Sequence, residues 1–245
     1  MEIIRLSSVS KKYSRLEGVR LITNRDFWME RESPHWFWAL EHVNLSIPKG
    51  GTSLGVIGAN GSGKSTLLRI IAGVTKPTYG TVVVHGRIVS LLELFAGMQP
   101  DLSGRENIIL HGIILGMRRR EIRRKFDAIA EFAGVEDFMD MPLKHYSTGM
   151  IMRLGFSVAI HVEADIILVD EAWSIGDIEF QNKSLQRLAQ LREQGATLIL
   201  VSHDMDVIRQ QTQDVLWLQR GKVASCGPSD QVIRTYLDSV KAGKV

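Results

Sequence analysis

The stretch "GANGSGKS", Gly58 to Ser65, constrains this chain more than any other. It satisfies G-x-x-x-x-G-K-[ST] in full and lies between the apolar run "LGVI" and the helical pattern "STLLRIIAG". A glycine-rich loop between a buried strand and a helix lets the backbone wrap phosphates closely, beside the positive end of the helix dipole. In such a loop Lys64 reaches the β- and γ-phosphates and Ser65 ligates Mg²⁺. Gly58, Ala59, Asn60, Gly61, Ser62, Gly63 and Thr66 complete the cradle. A turn that merely joins strand to helix is the plain alternative. The complete pattern in its proper context reads instead as a nucleoside triphosphate site, with Gly73 suited to a left-handed helix end.

Other short apolar runs sit beside helical patterns: "DIILVDE" (165–171) and "ATLILVSHD" (196–204). Such runs are expected as strands of a mostly parallel sheet covered on both faces. "IIRLSSVSKKY", "ALEHVNLSIPKG" and "TVVVHGRIVSLLEL" alternate apolar and polar residues and are expected as a half-exposed, N-terminal antiparallel β flank. From roughly 97 to 160 the pattern is helical, which predicts a helical lobe inserted between core strands of one α/β domain spanning 1–245. The single Cys226 excludes an internal disulfide framework, and the net charge of +3 is too mild to imply nucleic acid. No apolar run is long enough to span a bilayer, so a membrane role is expected to come through a partner.

At the end of "IILVD", Asp170 suits a Mg²⁺ contact and Glu171 is placed to orient or deprotonate an attacking water. Alone, these acids would read as a solvated pair capping a strand. His203 follows the next apolar run, at the sheet edge where ligands gather; it is either a γ-phosphate contact or structural. A second phosphate-binding element stands in "KHYSTGM", where Ser147, Thr148, Gly149 and Met150 precede a helix expected over 151–161.

The order "YSTGM", "IILVDEA", "SIGD", "SHD" resembles the ATP-binding-cassette (ABC) ATPases over nearly the whole chain. The resemblance implies a P-loop core that hydrolyses ATP with Mg²⁺. It also implies that Ser147 to Met150 close over the γ-phosphate held by a second copy, making a head-to-tail homodimer with shared ATPs. Tyr13 matches the aromatic that stacks on adenine; a tyrosine at a strand end also serves as core filler. Two departures stand out: Thr148 replaces the family's signature glycine and Met150 its glutamine. At the glutamine-loop position the chain offers Glu93, as a Mg²⁺ contact, or Gln99.

"YSTGM", "SIGD" with "EFQNKS", "DLSGREN" and "DMPLKHYS" resemble the ATPase subunits that export bacterial O antigen, capsule and teichoic acid. This implies an ATPase powering export of a lipid-linked polysaccharide, O antigen foremost, through a separate integral membrane permease. The place implied is peripheral, at the cytoplasmic face of the bacterial inner (plasma) membrane, with no nucleic acid partner. A cassette for lipid, drug or another solute and a non-transport ABC ATPase are the alternatives. The long 14–38 segment, holding Trp28, Trp36 and Trp38, either covers the β flank or engages the lipid-linked glycan near the membrane. "MRRREIRRKF" (117–126) reads as a solvated helical face rather than a lipid or nucleic-acid patch. No separate C-terminal carbohydrate-binding domain is expected in this chain.

Overall fold

The computed structural model describes residues 2–14, 36–93, 97–170 and 176–243. In chain order the elements are β1 (Glu2–Ser14), β2 (Trp36–Pro48), β3 (Ser53–Ile57), α1 (Lys64–Ile71), β4 (Tyr79–Val84) and β5 (Ile88–Ser90). There follow α2 (Gly104–Ile114), α3 (Arg119–Ala133), α4 (Thr148–Ile160), β6 (Ile166–Asp170), α5 (Ile178–Glu193) and β7 (Thr197–Val201). The chain continues through α6 (Met205–Gln211), β8 (Asp214–Gln219), β9 (Lys222–Pro228) and α7 (Ser229–Lys241). They fall into two compact units, one of Met1–Pro48, Val56–His85 and Val215–Val245, the other of Lys49–Gly55 and Gly86–Asp214. The chain passes from the second unit to the first within β3 itself.

In the first unit an antiparallel sheet has the order β2-β1-β4. Alternation along β1 and β2 sends Ile4, Leu6, Leu40, Val43 and Ile47 inward, and each such burial contributes roughly 1.5–3 kcal/mol. The alternation is broken by register shifts, one between Leu6 and Val9. There Ser8 takes φ 49 and its N–H donates to Asn44 Oδ1 at 2.8 Å, and at the next shift, between Val9 and Lys11, His42 takes φ 51 and its N–H donates to Ser10 Oγ at 2.9 Å. Side chains thus satisfy the amides that a bulge removes from the ladder. The second half of β3 is followed in its sheet by β8 and β9. Trp217 of β8 meets Tyr236 of α7 edge-on, with ring centroids 5.5 Å apart.

In the second unit β5, β6 and β7 run parallel, with Ile166, Ile167 and Leu168 facing Thr197, Leu198 and Ile199, and the first half of β3 follows β7. Ile166 to Val169 are all buried, as continuous apolar runs in a covered parallel sheet require. Phe180 of α5 packs edge-on against Phe156 of α4 and Phe132 of α3, at 5.8 and 5.6 Å. Helices α2 to α4 stand between β5 and β6 in the chain, so the α/β class with an antiparallel flank, a mostly parallel sheet and inserted helices is the architecture found.

"TVVVHGRIVSLLEL" differs from its expected form. Its first part is β4 of the antiparallel sheet, but Ile88–Ser90 is a parallel strand beside β6. The break is at Gly86, where φ is 107 and an added Cβ would lie 2.7 Å from the Asp165 side chain. That side chain instead accepts a hydrogen bond from Arg87 N at 2.9 Å, turning the strand toward β6.

Candidate functional site

The loop between β3 and α1 is shaped by its glycines. Gly58, Gly61 and Gly63 have φ of 145, 76 and 108, where an L side chain is strained. At Gly58 a Cβ would come 2.1 Å from Leu218 O, and at Gly63 2.4 Å from Ala39 O, so these positions also have no room for one. Ser62 N donates to Ala59 O at 3.1 Å and Gly221 N to Ser62 O at 3.0 Å, closing the loop on itself and on the β8–β9 turn. Buried Lys64 folds back across it, its Nζ donating to Gly58 O at 2.8 Å and Ala59 O at 3.1 Å. Gly63 caps α1 with no side-chain hydrogen bond, and the first turn holds no acid.

Two details of this loop fit an anion. The helix start, with no side-chain cap and no acid in its first turn, turns the positive end of its dipole toward the loop. Ser62 Oγ is buried and has no hydrogen-bond partner, an arrangement that costs free energy until an acceptor arrives. Phosphate oxygens supply such acceptors, and the ammonium of Lys64 is already held at the loop.

In the second unit Asp170 ends β6 opposite Val201 of β7, and His203, exposed, follows two residues beyond Val201. The parallel register therefore carries both to the carboxyl ends of neighbouring strands. Asp204 next to His203 caps α6, its Oδ1 accepting from Asp206 N at 2.9 Å and Val207 N at 3.2 Å. Glu171 and the following "AWSI" lie outside the described residues. Glu93 closes a short 3-10 helix, Leu91–Glu93. Gln99 has its backbone tied to Asn107, as donor to Oδ1 at 2.8 Å and acceptor from Nδ2 at 3.0 Å.

The loop before α4 is exposed at Ser147 and Thr148. The helix starts three residues earlier than 151, because Ser147 caps it: its Oγ accepts from Met150 N at 3.2 Å. Among the described residues a Cβ on Gly149 would meet only Ser147 Oγ, at 3.9 Å, so none of them demands a glycine there. What holds the loop is Tyr146, which sequence reasoning did not single out. It is buried, its hydroxyl donates to Phe138 O at 2.6 Å, and it lies against Gly104, where a Cβ would stand 2.2 Å from that hydroxyl. Asn107 was missed as well; its buried Nδ2 donates to Gln99 O, Leu102 O and Ser103 O, fixing the "DLSGREN" turn. Downstream, Asp177 of "SIGD" caps α5 through Phe180 N at 2.9 Å and pairs with Arg153 of α4 at 3.9 Å.

At the far end of β1, Tyr13 lies 5.9 Å from Phe37, with Lys11 Nζ 4.9 Å above its ring. Lys12 Nζ lies 4.8 Å from the Trp36 ring and 5.7 Å from that of Trp38. Residues 15–35, including Trp28, lie outside the described residues. Among the described residues no helix is long and apolar enough to cross a membrane.

The family model described as "ABC transporter" matches residues 40–174. The O-antigen export system ATP-binding protein RfbB of Myxococcus xanthus is 45% identical over 202 residues, which are 82% of this chain and 46% of that protein. RfbB of Klebsiella pneumoniae is 40% identical over 200 residues, 82% of this chain and 81% of its own length. The chain thus spans less than half of the first relative and most of the second. Among solved structures, the ATP-binding cassette MJ0796, dimeric in a post-hydrolysis state bound to ADP and Pi, superposes with a TM-score of 0.72 at 26% identity. That match covers 92% of this chain and 98% of the cassette.

Proposed function

Because the chain belongs to the ABC transporter family, we propose that it is the ATP-hydrolysing subunit that drives export of a lipid-linked polysaccharide of the O-antigen class. It works as a homodimer under a separate integral membrane permease, at the cytoplasmic face of the bacterial inner membrane. The relatives' names supply the substrate class. The observation that carries the mechanism is the start of α4: Ser147 and Thr148 are exposed, Tyr146 just before them is anchored to Phe138 O, and Gly149 is a glycine that no described residue of its own chain requires.

Each copy contributes two different halves. Its P-loop, with Lys64, the Ser62 hydroxyl and the start of α1, binds the triphosphate. The Ser147 hydroxyl and the start of α4 belong to the partner's nucleotide. Donors from two chains converging on one polyphosphate make the closed pair stable only while the γ-phosphate is present. Tyr13, beside Phe37 and under Lys11, is the stacking surface for adenine. Ser65 and Asp170, with Glu93 in a supporting role, would hold Mg²⁺, which when bound supplies positive charge against the phosphate oxygens. Glu171 takes the proton of the attacking water, and His203 contacts the γ-phosphate and registers its loss. The 14–38 segment engages the carrier-linked glycan.

The first test is Glu171→Gln, which should accumulate an ATP-dependent dimer in size-exclusion chromatography. A variant that stays monomeric at saturating ATP removes the shared-site mechanism. The second is export: cells lacking this chain should retain lipid-linked glycan on the inner face, with rescue by the wild type and none by Lys64→Ala. Unchanged surface glycan in such cells rejects the substrate while leaving the ATPase intact.

A further inference from the structure

The arginine-rich segment before and within α3 does more than present a solvated helical face. It borders a cavity of about 970 Å³ walled by Arg87, Arg118, Arg120, Arg123 and Arg124. Like charges gathered around one concavity repel, so the question is what neutralises them. Two acids share the wall, Glu121 and Glu163, but both are engaged with Lys125: its Nζ lies 3.1 Å from Glu121 and 3.0 Å from Glu163. Arg124 also contacts that same Oε1 of Glu163, at 3.3 Å. The Lys125 hydrogen bond holds the Glu163 carboxyl below the ordinary carboxylate range, so it stays charged and committed there. Among the described residues Arg118, Arg120 and Arg123 have no carboxylate within ion-pairing distance.

The wall is also built rather than merely crowded. Arg87 Nη2 donates to Leu115 O at 3.1 Å, which fixes its guanidinium. Gly116 stands beside it at φ 83, a backbone conformation that favours glycine; a Cβ there would sit 3.4 Å from the same nitrogen, an ordinary contact. Arg118, Arg119 and Arg120 crowd the N-terminal end of α3, where the helix dipole disfavours cations. Planar guanidinium forks match phosphate oxygens two at a time, and a cavity this large has room for more than one phosphate group.

We propose that this cavity binds a compact phosphate-bearing anion, either free in solution or as the headgroup of an anionic lipid, through Arg118, Arg120 and Arg123. The site is independent of the P-loop residues and of the export reading above.

The test uses the full chain with Lys64→Ala, so that the P-loop does not mask the signal. Inorganic pyrophosphate is titrated calorimetrically, and flotation is measured with phosphatidylcholine vesicles with and without phosphatidylglycerol. Each is repeated with Arg118→Gln, Arg120→Gln and Arg123→Gln combined. A tenfold or greater weakening of pyrophosphate binding identifies a free ligand. A loss confined to phosphatidylglycerol vesicles identifies a lipid headgroup. Arg234→Gln, which removes an exposed arginine elsewhere, should change neither. Absence of binding to both probes, or equal binding by the triple variant, overturns the proposal. Should the triple variant melt early, Arg123→Gln alone is read in the same way, with a threefold or greater weakening expected.

Discussion

His111 offers a stability prediction that can be worked from one buried ring. It lies in the last turn of α2, is 1% exposed, and its Nδ1 has no hydrogen-bond partner. Burial pushes its pKa from 6.5 down to about 4. The helix C-terminus favours a protonated ring, but by only about 0.3–1 kcal/mol, so desolvation wins. Below about pH 6.5 the unfolded chain takes up a proton that the folded ring refuses until about pH 4. Folding stability is therefore complete at neutral pH and falls as the solution is acidified through that window. The whole shift corresponds to about 3 kcal/mol, of which about 2 kcal/mol is already lost at about pH 5. Urea unfolding of the wild type and His111→Leu at about pH 7.5 and pH 5 isolates this quantity. The leucine changes packing at both pH values, and His161, whose pKa burial also lowers, is present in both proteins. Only the His111 proton differs between the two slopes. The wild type should lose about 2 kcal/mol more than the variant on acidification. Parallel losses would mean that the ring titrates normally in the folded lobe and that the burial argument fails.

Gly63→Ala should abolish binding of a fluorescent ATP analogue and lower the unfolding free energy by more than the roughly 1–2 kcal/mol of a left-handed alanine, because the new Cβ also collides with Ala39 O. Tyr146→Phe should destabilise the chain by about 0.5–1.5 kcal/mol in urea melts, by removing one of the two hydrogen bonds that Phe138 O accepts, the other coming from Met141 N, while analogue binding to the monomer stays unchanged. Asn107→Ala should cost more, about 3 kcal/mol, since it strips hydrogen bonds from several backbone groups at once. Hydrogen exchange at the Gln99 amide should accelerate in that variant well beyond the global change.

The parts legible in the sequence were those whose chemistry is local. A P-loop needs particular residues at fixed spacing, and Gly58 and Gly63 turn out to be sites where both φ and space exclude a side chain. Buried parallel strands announce themselves as unbroken apolar runs, as in Ile166 to Val169. β8, with its "VLWL" core, has the same form but adjoins no motif that would single it out. The fate of Ile88–Ser90 was not legible at all. A strand's partner is a long-range choice, and what decided it was Gly86 against Asp165, residues far apart in the chain. Tyr146 and Asn107 were hidden for a related reason. Each adds a side-chain hydrogen bond to carbonyls that already accept one from the backbone, Asn107 also takes the Gln99 N–H, and no spacing rule predicts which polar side chain does that.

On the proposed shared site, the Ser147 hydroxyl has two duties. It accepts from Met150 N to cap α4. A hydroxyl has two lone pairs and one proton, so accepting this bond leaves the proton to be donated to a phosphate. One atom can therefore stabilise its own helix and bind the nucleotide of the other copy. Aspartate caps a helix about as well as serine, whereas alanine forfeits about 0.5–2 kcal/mol. At neutral pH, however, aspartate has no proton to give and repels phosphate. Ser147→Asp should thus keep the wild-type melting temperature yet form no ATP-dependent dimer in the Glu171→Gln background. Ser147→Ala should melt earlier and dimerise weakly, lacking a donor but adding no repulsion. If the aspartate variant dimerises with ATP as the serine protein does, this hydroxyl does not face a phosphate, and its role ends at the helix cap.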